Sequence, residues 1–338
     1  MADGQVAIEA ATVETADVLR FEGSALGSRL QLTVRGADEA SANAAWRAVR
    51  DEFAVVDVSL SRYRGDSELT ALNRSAGRGP VAVSRRLRVL LALTDRAHRT
   101  TDGRFDPRVL ADLERLGDHG ADLGDADGGA WRARAGRSSG TRARIALVFR
   151  DRTASIDAPV DSGGAGKGLA LRWAASRARE LLPRDAGLLL DAGGDVVASG
   201  MPPPGGWLVG VEDPLAGSDP GTAVAVPIAV LRLDVGAVAT SSTRIRQWRS
   251  PAGELVHHLI DPATGEPGGD GLVAVTVALT DPAWAEICSK SLFVAGRSRI
   301  AELARATGLA AWWVDADGAR SMTPAARQRC VWVDEVPS

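Results

Sequence analysis

The chain has 338 residues, of which 45% are hydrophobic and 25% charged, with a formal net charge of -3. That composition suits a globular protein with a sizeable core, and the slightly acidic balance argues against nucleic acid as the main partner. Its two cysteines, Cys288 and Cys330, cannot build a disulfide framework or a cysteine-based zinc site, and no apolar run approaches the roughly 18 residues of a membrane span.

Residues 1–20 are acidic and alanine-rich, and read as a flexible tail or an edge strand; 21–338 reads as a single domain. The start has neither a basic n-region nor an apolar h-region, so no signal peptide is expected. As written the chain is expected to be cytoplasmic, although one trimmed of an export signal would read the same. Arg29 to Val34 alternates as a strand, and Glu39 to Leu60 carries apolar residues at helical spacing. Val83 to Arg99 is a second amphipathic helix with Ser84 as its cap candidate. Gly117 to Ser139 reads as a surface excursion, and Arg144–Phe149 with Ala154–Ile156 as a hairpin.

The stretch Asp161-Ser162-Gly163-Gly164-Ala165-Gly166-Lys167-Gly168 holds four glycines in eight residues and runs into a helix ending near Leu182. A helix N-terminus fed by such a loop offers N–H groups and the positive dipole end to an anion. Lys167 adds a full charge. The spacing is neither a Walker A loop nor a clean dinucleotide fingerprint, so a plain strand-to-helix turn is an equal alternative.

Beyond it, Gly187 to Val197 reads as a strand running into the turn Gly193-Gly194-Asp195, and Gly200 to Gly206 as a stiff external loop. Short strands are expected at Trp207–Val211, Ala223–Leu233 and Val235–Thr240, and a strong one at Leu272–Leu279. Helices at Pro282–Val294 and Ser298–Thr307 and a strand at Ala310–Val314 close the chain. The mixture lacks strict βαβ alternation, so the expected class is α+β.

Polar clusters stand at the ends of these elements, where sites tend to be built. In chain order they are Ser61-Arg62-Tyr63 with Ser67-Glu68-Leu69 and Leu72-Asn73; Phe105-Asp106-Pro107; the glycine loop; Gly193-Gly194-Asp195; Ala239-Thr240-Ser241-Ser242; and His258-Leu259-Ile260-Asp261-Pro262 before Thr264-Gly265. Each alone is weak. The ordered series, from about Phe21 to Gly296, resembles the ApbE family of FAD:protein FMN transferases.

That resemblance implies an α+β, T-fold-like architecture with FAD in a cleft. It implies an enzyme that splits the FAD pyrophosphate, places FMN on a Ser or Thr of an acceptor protein and releases AMP. Carried over position by position, it assigns FAD contacts to Tyr63, Ser67, Asp106, Asp161, Gly164, Lys167, Gly193, Gly194, Asp195, Thr240, Ser241, Ser242, His258 and Asp261. His258, just before the Asp-Pro turn, becomes the candidate base toward the incoming hydroxyl; a histidine satisfied near a turn is the alternative. Tyr63, the single tyrosine, either stacks on adenine or closes a core edge. Thr240 to Ser242 either serve phosphate or ribitol or form a polar strand end, and Asp261 either contacts ligand or braces its turn.

The chain departs from the family at one place. A late helix usually carries an Asp and, four residues on, a Thr that bind Mg²⁺ with a glycine-loop carbonyl, here that of Gly166. The matching residues are Glu286 and Lys290. Glutamate is a competent oxygen ligand, but an ammonium has no lone pair. Metal binding is therefore doubtful. A Glu286–Lys290 ion pair is expected on one helix face, and the Lys290 ammonium becomes a candidate replacement for the ion, with a catalytic role at the pyrophosphate. A solvated surface pair is the bland alternative. Two other readings remain open: an FAD-binding protein with weak or no transfer, and a pyrophosphatase giving FMN and AMP. A smaller departure is Leu26-Gly27-Ser28 where the family often has Met-Gly-Thr.

Overall fold

The computed structural model describes residues 18–121, 123, 152–216 and 227–334. Eight strands form one antiparallel sheet. In spatial order they are β1 (Val18–Ala25), β2 (Ser28–Arg35), β5 (Gly187–Ala192), β6 (Asp195–Gly200), β9 (Gly236–Ser242), β12 (Leu272–Leu279), β13 (Ala310–Asp315) and β14 (Arg320–Met322). A three-stranded sheet of β15 (Cys330–Val333), β8 (Pro227–Leu233) and β7 (Trp207–Glu212) packs beside it. Two small ribbons pair β10 (Gln247–Arg249) with β11 (Leu255–His257), and β3 (Val81–Ala82) with β4 (Thr153–Ala154).

The helices are α1 (Glu39–Leu60), α2 (Glu68–Arg74), α3 (Arg85–Thr100), α4 (Leu110–Arg115), α5 (Gly166–Leu181), α6 (Pro282–Val294), α7 (Ile300–Ala306) and α8 (Pro324–Arg327). α1 starts where Asp38 accepts from the Ser41 N–H at 2.7 Å. α3 starts where Ser84 accepts from Leu87, as its sequence suggests.

Alternation along the strands sorts the large sheet into two faces. Leu30, Leu32 and Val34 of β2 and Leu188 and Leu190 of β5 pack under α1, α3 and α5. Val275 and Val277 of β12 and Trp313 of β13 pack under α6 and α7. The opposite face, with Val196, Val238, Trp312 and Val314, packs on Val209, Ile228, Leu231 and Leu233 of the small sheet. An antiparallel sheet with helices on one face and a smaller sheet on the other is the expected α+β class.

Some boundaries differ from the sequence reading. Residues 18–20 belong to β1, paired along its length with β2; 1–17 lie outside the described residues, as do Arg144–Phe149 and most of Gly117–Ser139. Ala154 pairs with Val81, and Arg144–Phe149, its expected hairpin partner, lies outside the described residues. Gly187 to Val197 is two strands, because Gly193 and Gly194 take φ of 65° and 91° and fold β5 back onto β6.

Candidate functional site

A cleft of about 1380 Å³ opens where the ends of several elements meet. It exceeds the roughly 300–1,000 Å³ of an ordinary small-molecule pocket, so it has room for a dinucleotide. Its walls come from the β1–β2 turn (Leu26, Gly27, Ser28), the loop after α1, the glycine loop, the β5–β6 turn, the end of β9 and the segment after it, His258, and Glu286 and Lys290 of α6. Leu208 and Val209 of β7 add an apolar side.

The glycine loop is held from behind. The Asp161 N–H donates to the Pro107 carbonyl and the Ser162 hydroxyl to the Leu60 carbonyl at 2.7 Å. Its N–H groups are largely spent internally: Gly163 on Asp161, Ala165 and Gly166 on the Ser162 carbonyl, and Gly168 on Glu286. The expected N–H cradle is thus corrected to a loop that packs. Its glycines serve close approach rather than unusual backbone angles. A Cβ on Gly168 would stand 2.5 Å from Ala283 Cα, and one on Gly164 would stand 2.7 Å from the Phe105 ring. α5 and α6 therefore touch backbone to backbone, and Arg172 locks them further by donating to Asp281, the N-cap of α6, at 2.6 Å.

Charge is concentrated at this contact. Lys167 Nζ donates to Asp195 Oδ2 at 2.5 Å, so the lysine expected to meet phosphate is already paired. Asp195, 2% exposed, also accepts from the Thr240 N–H at 3.0 Å. Burial pulls the Lys167 ammonium down, but the carboxylates of Asp195, Glu286 and Asp191 outweigh it and hold it above the usual lysine value.

Glu286 Oε2 accepts from the Gly168 N–H at 2.8 Å, and burial pushes its carboxyl up to about 7 against the pull of Lys167 and Lys290. Lys290 Nζ donates to the Gly163 carbonyl at 3.0 Å. Burial lowers its pKa in spite of Glu286 and Asp161. The expected Glu286–Lys290 ion pair does not form: each side chain reaches across to the glycine loop instead.

His258 lies beside Lys290. Burial, then the charges of Lys290 and Arg246, depress it to about 2, so its imidazole is neutral over the physiological range. The hydroxyls of the β9 end face the same cleft. Thr240 Oγ1 is 2.9 Å from Thr276 Oγ1, Ser241 Oγ is 2.9 Å from Ser289 Oγ, and Ser242 Oγ accepts from the Arg244 N–H. Gly193, Gly194, Asp161 and Gly166 line it as well.

A second charged group stands at the mouth. Arg62, 4% exposed, places Nη2 2.7 Å from Asp118 and Nε 3.0 Å from Asp161. Arg246 joins Asp118 at 2.5 Å, and both arginines donate to the Tyr63 hydroxyl. The Arg62 guanidinium lies 4.3 Å from the Tyr63 ring centre. Tyr63 is 55% exposed, so it does not close a core edge; its ring is offered to the cleft.

Four expected contacts fall elsewhere. Ser67 is the buried N-cap of α2, accepting from Thr70 and donating to the Ser61 carbonyl. Asp106 is consumed by a two-point pair with Arg108. Asp261 accepts from the Ala263 N–H and braces the Pro262 turn. Gly164 faces Phe105 behind the loop rather than the cleft. Conversely, Arg62, Asp118, Asp191 and Arg246 escaped the sequence reading. Arg62 sat inside a flagged cluster, but nothing in the sequence signals that Asp118, 56 residues away, is its partner.

An antiparallel sheet packed on both faces, with a dinucleotide-sized cleft walled by lysine, neutral histidine and hydroxyls, defines an α+β protein with a phosphate-compatible ligand site. The chain belongs to the ApbE family, whose profile matches residues 26–313. It is similar to an FAD:protein FMN transferase of Klebsiella pneumoniae (strain 342), 27% identical over 294 residues, 82% of this chain and 83% of that one. One from Salmonella typhimurium is 28% identical over 309 residues, 88% and 84% of the two chains. The crystal structure of the ApbE protein of Thermotoga maritima shares the fold with a TM-score of 0.77 at 24% identity, covering 92% of this chain and 99% of that one. So does the flavinyl transferase ApbE of Pseudomonas stutzeri, at 0.74 and 22%, covering 92% and 96%.

Proposed function

We propose that the chain binds FAD in the cleft and transfers its FMN half to a Ser or Thr hydroxyl of an acceptor protein. The hydroxyl oxygen bonds to the FMN phosphorus, the bond from that phosphorus to the bridging oxygen breaks, and AMP leaves with that oxygen. His258 takes the hydroxyl proton. Membership of the family supports this reading. The observation that carries it is that His258, Lys290 and the hydroxyls of Thr240 to Ser242 all open onto one cleft. Two negative charges of a pyrophosphate beside Lys290 and Arg246 would cancel the cationic part of the His258 depression and make the ring a better base.

The Mg²⁺ that the family resemblance implies does not fit the residues present. Lys290 brings its ammonium to a glycine-loop carbonyl, 3.0 Å from the Gly163 oxygen. Glu286 spends one oxygen on the Gly168 N–H. Among the described residues no cluster of three or more His, Cys, Asp or Glu side chains could hold a metal. We assign to Lys290 the charge that steadies the pyrophosphate, as one fixed positive charge. Lys167, neutralised by Asp195, holds the wall in shape.

The test is incubation with FAD and an acceptor protein, with and without EDTA. Covalent flavin on the acceptor, at a rate EDTA leaves unchanged, is the expected result. Transfer that requires Mg²⁺ would overturn the role of Lys290. FMN and AMP without labelling, or FAD bound unchanged, would overturn transfer itself. Among the described residues no helix is long and apolar enough to cross a membrane.

A further inference from the structure

Four strands end the two larger sheets: β1, β14, β15 and β7. Among the described residues only β7 reaches the cleft, through Leu208, Val209, Gly210 and Glu212. Successive side chains of a strand stand on opposite faces. A cleft that meets Leu208, Val209 and Gly210 in turn therefore meets β7 along its edge.

Two hydrogen bonds give the direction of the backbone groups on that edge. The Arg232 N–H donates to the Arg329 carbonyl, and the Asp334 N–H donates to the Ile228 carbonyl. The even-numbered residues of β8 thus turn their backbone groups toward β15. Ala229, Leu231 and Leu233 turn theirs toward β7, where Val211, Val209 and Trp207 stand opposite. Leu208 and Gly210, in between, point N–H and C=O away from β8 and into the open edge. Among the described residues no backbone hydrogen bond meets them there.

Proteins blunt a free edge with charge, proline or a bulge. Over Leu208 to Gly210 the edge has none of these: Leu208 is 63% exposed, and β7 keeps register with β8 as far as Val211. Gly210 is exposed too. A glycine inside a strand marks a bulge, a bend or the close approach of another backbone. Gly210 sits at no bulge and its φ is not left-handed. Among the described residues an added Cβ would meet nothing nearer than Pro227, at 3.4 Å, an ordinary contact. The fold itself thus makes no demand for glycine there, whereas an approaching chain would.

We propose that an extended segment of the acceptor protein adds to the free edge of β7 as a fourth strand, pairing its backbone with Leu208 and Gly210 and so holding its Ser or Thr in the cleft with His258 and Lys290. The occupant follows from the cleft: transfer requires the acceptor's hydroxyl to enter it, and this edge runs along its wall. The inference rests on the transfer reading. Strand addition draws affinity from main-chain hydrogen bonds, which leaves the reacting side chain free to face the pyrophosphate.

The probe is a mixture of 11-residue peptides, each with a central Thr and randomised flanks, incubated with enzyme and FAD; mass spectrometry identifies those that gain FMN. A labelled peptide is then remade with one N-methyl group at each amide in turn. Transfer should fall about fivefold or more, the worth of one hydrogen bond, at every second amide of one short stretch, and hold at the amides between. On the enzyme, Gly210→Pro removes the outward N–H but spares the ladder to β8. It should raise KM for the peptide by a similar factor, while Gly210→Ala, which keeps the N–H, should not. With the central Thr replaced by Val, the peptide cannot react; in wild-type enzyme loaded with FAD it should slow amide exchange at Leu208 and Gly210. Loss without the two-residue period, equal KM in the two variants, or amides at Leu208 and Gly210 already protected without peptide would overturn the inference. Label taken by folded proteins of a cell extract but by no peptide would overturn strand addition and leave transfer standing. No label on peptide or protein would overturn transfer, and this inference with it.

Discussion

Gly168→Ala tests the contact on which the whole charged wall depends. Alanine is the better helix former by about 1 kcal/mol, so on α5 alone the change should stabilise. The added Cβ, however, would stand 2.5 Å from Ala283 Cα and 2.6 Å from the Pro282 carbonyl, where ordinary contact begins at 3.4 Å. Because the clash is with backbone, no side chain can swing away. α5 and α6 must part by about 0.9 Å (3.4 less 2.5). The same movement stretches the 2.8 Å bond from the Gly168 N–H to Glu286 beyond hydrogen-bond range. Overpacking costs about 1–3 kcal/mol and the lost bond to a charged group about 1.5–3 kcal/mol. Net of the helix gain, the variant should lose about 1.5–5 kcal/mol, a fall in Tm of at least roughly 3 °C. Calorimetry measures the first effect and fluorescence titration with FAD the second, since Lys290 moves with α6. A Tm equal to or above wild type would refute the claim that backbone contact sets the helix spacing.

Lys290→Met should weaken FAD binding about 10- to 150-fold, the worth of one charge-assisted hydrogen bond, read by titration in EDTA; unchanged affinity would remove Lys290 from the pyrophosphate. Asp195→Asn should cost about 1–3 kcal/mol in urea unfolding, at the low end for a broken ion pair because Lys167 keeps about a third of its surface in water. His258 is depressed from 6.5 to about 2 on folding. The unfolded chain then takes up its proton first, and His258 withdraws up to about 1.4 kcal/mol of stability per pH unit below 6.5. Glu286, raised from 4.5 to about 7, works in the opposite sense and adds stability as pH falls from 7 to 4.5. The two oppose each other down to about pH 4.5, and only the His258 loss continues below it. In denaturant melts between pH 7 and 3, His258→Asn should flatten the acid limb; an identical limb in the variant would contradict the burial of that ring.

Much of this was legible from residue order. α1 spans the residues its apolar spacing marks, because a 22-residue amphipathic helix with an aspartate cap states both its period and its start. Of the cleft lining, Tyr63, Asp161, Lys167, Asp195, Thr240, His258, Glu286 and Lys290 lay in the flagged clusters, because sites tend to be built from polar residues at element ends, whereas Asp191 and Arg246 did not. The failures share a cause. Ser67, Asp106 and Asp261 have a side chain that satisfies a nearby N–H, and such a cap looks the same in sequence as a ligand contact. The glycine loop suggested exposed N–H groups, whereas its glycines answer Ala283 and Phe105, whose proximity no local pattern encodes. Arg62, Asp118 and Arg246 meet only through the tertiary fold.

The sheet order has a consequence for how the molecule comes into being. β5 and β6 insert between strands drawn from both ends of the chain: β2 on one side, β9 and then β12 on the other. The cleft takes its lining from Leu26 through Lys290. No early segment can hold a flavin nucleotide by itself, since the cation that would meet it arrives 227 residues after Tyr63 (290 less 63). Such distant pairings fold slowly. During synthesis the site should be absent until α6 has left the ribosome, which would keep a half-made chain from sequestering FAD.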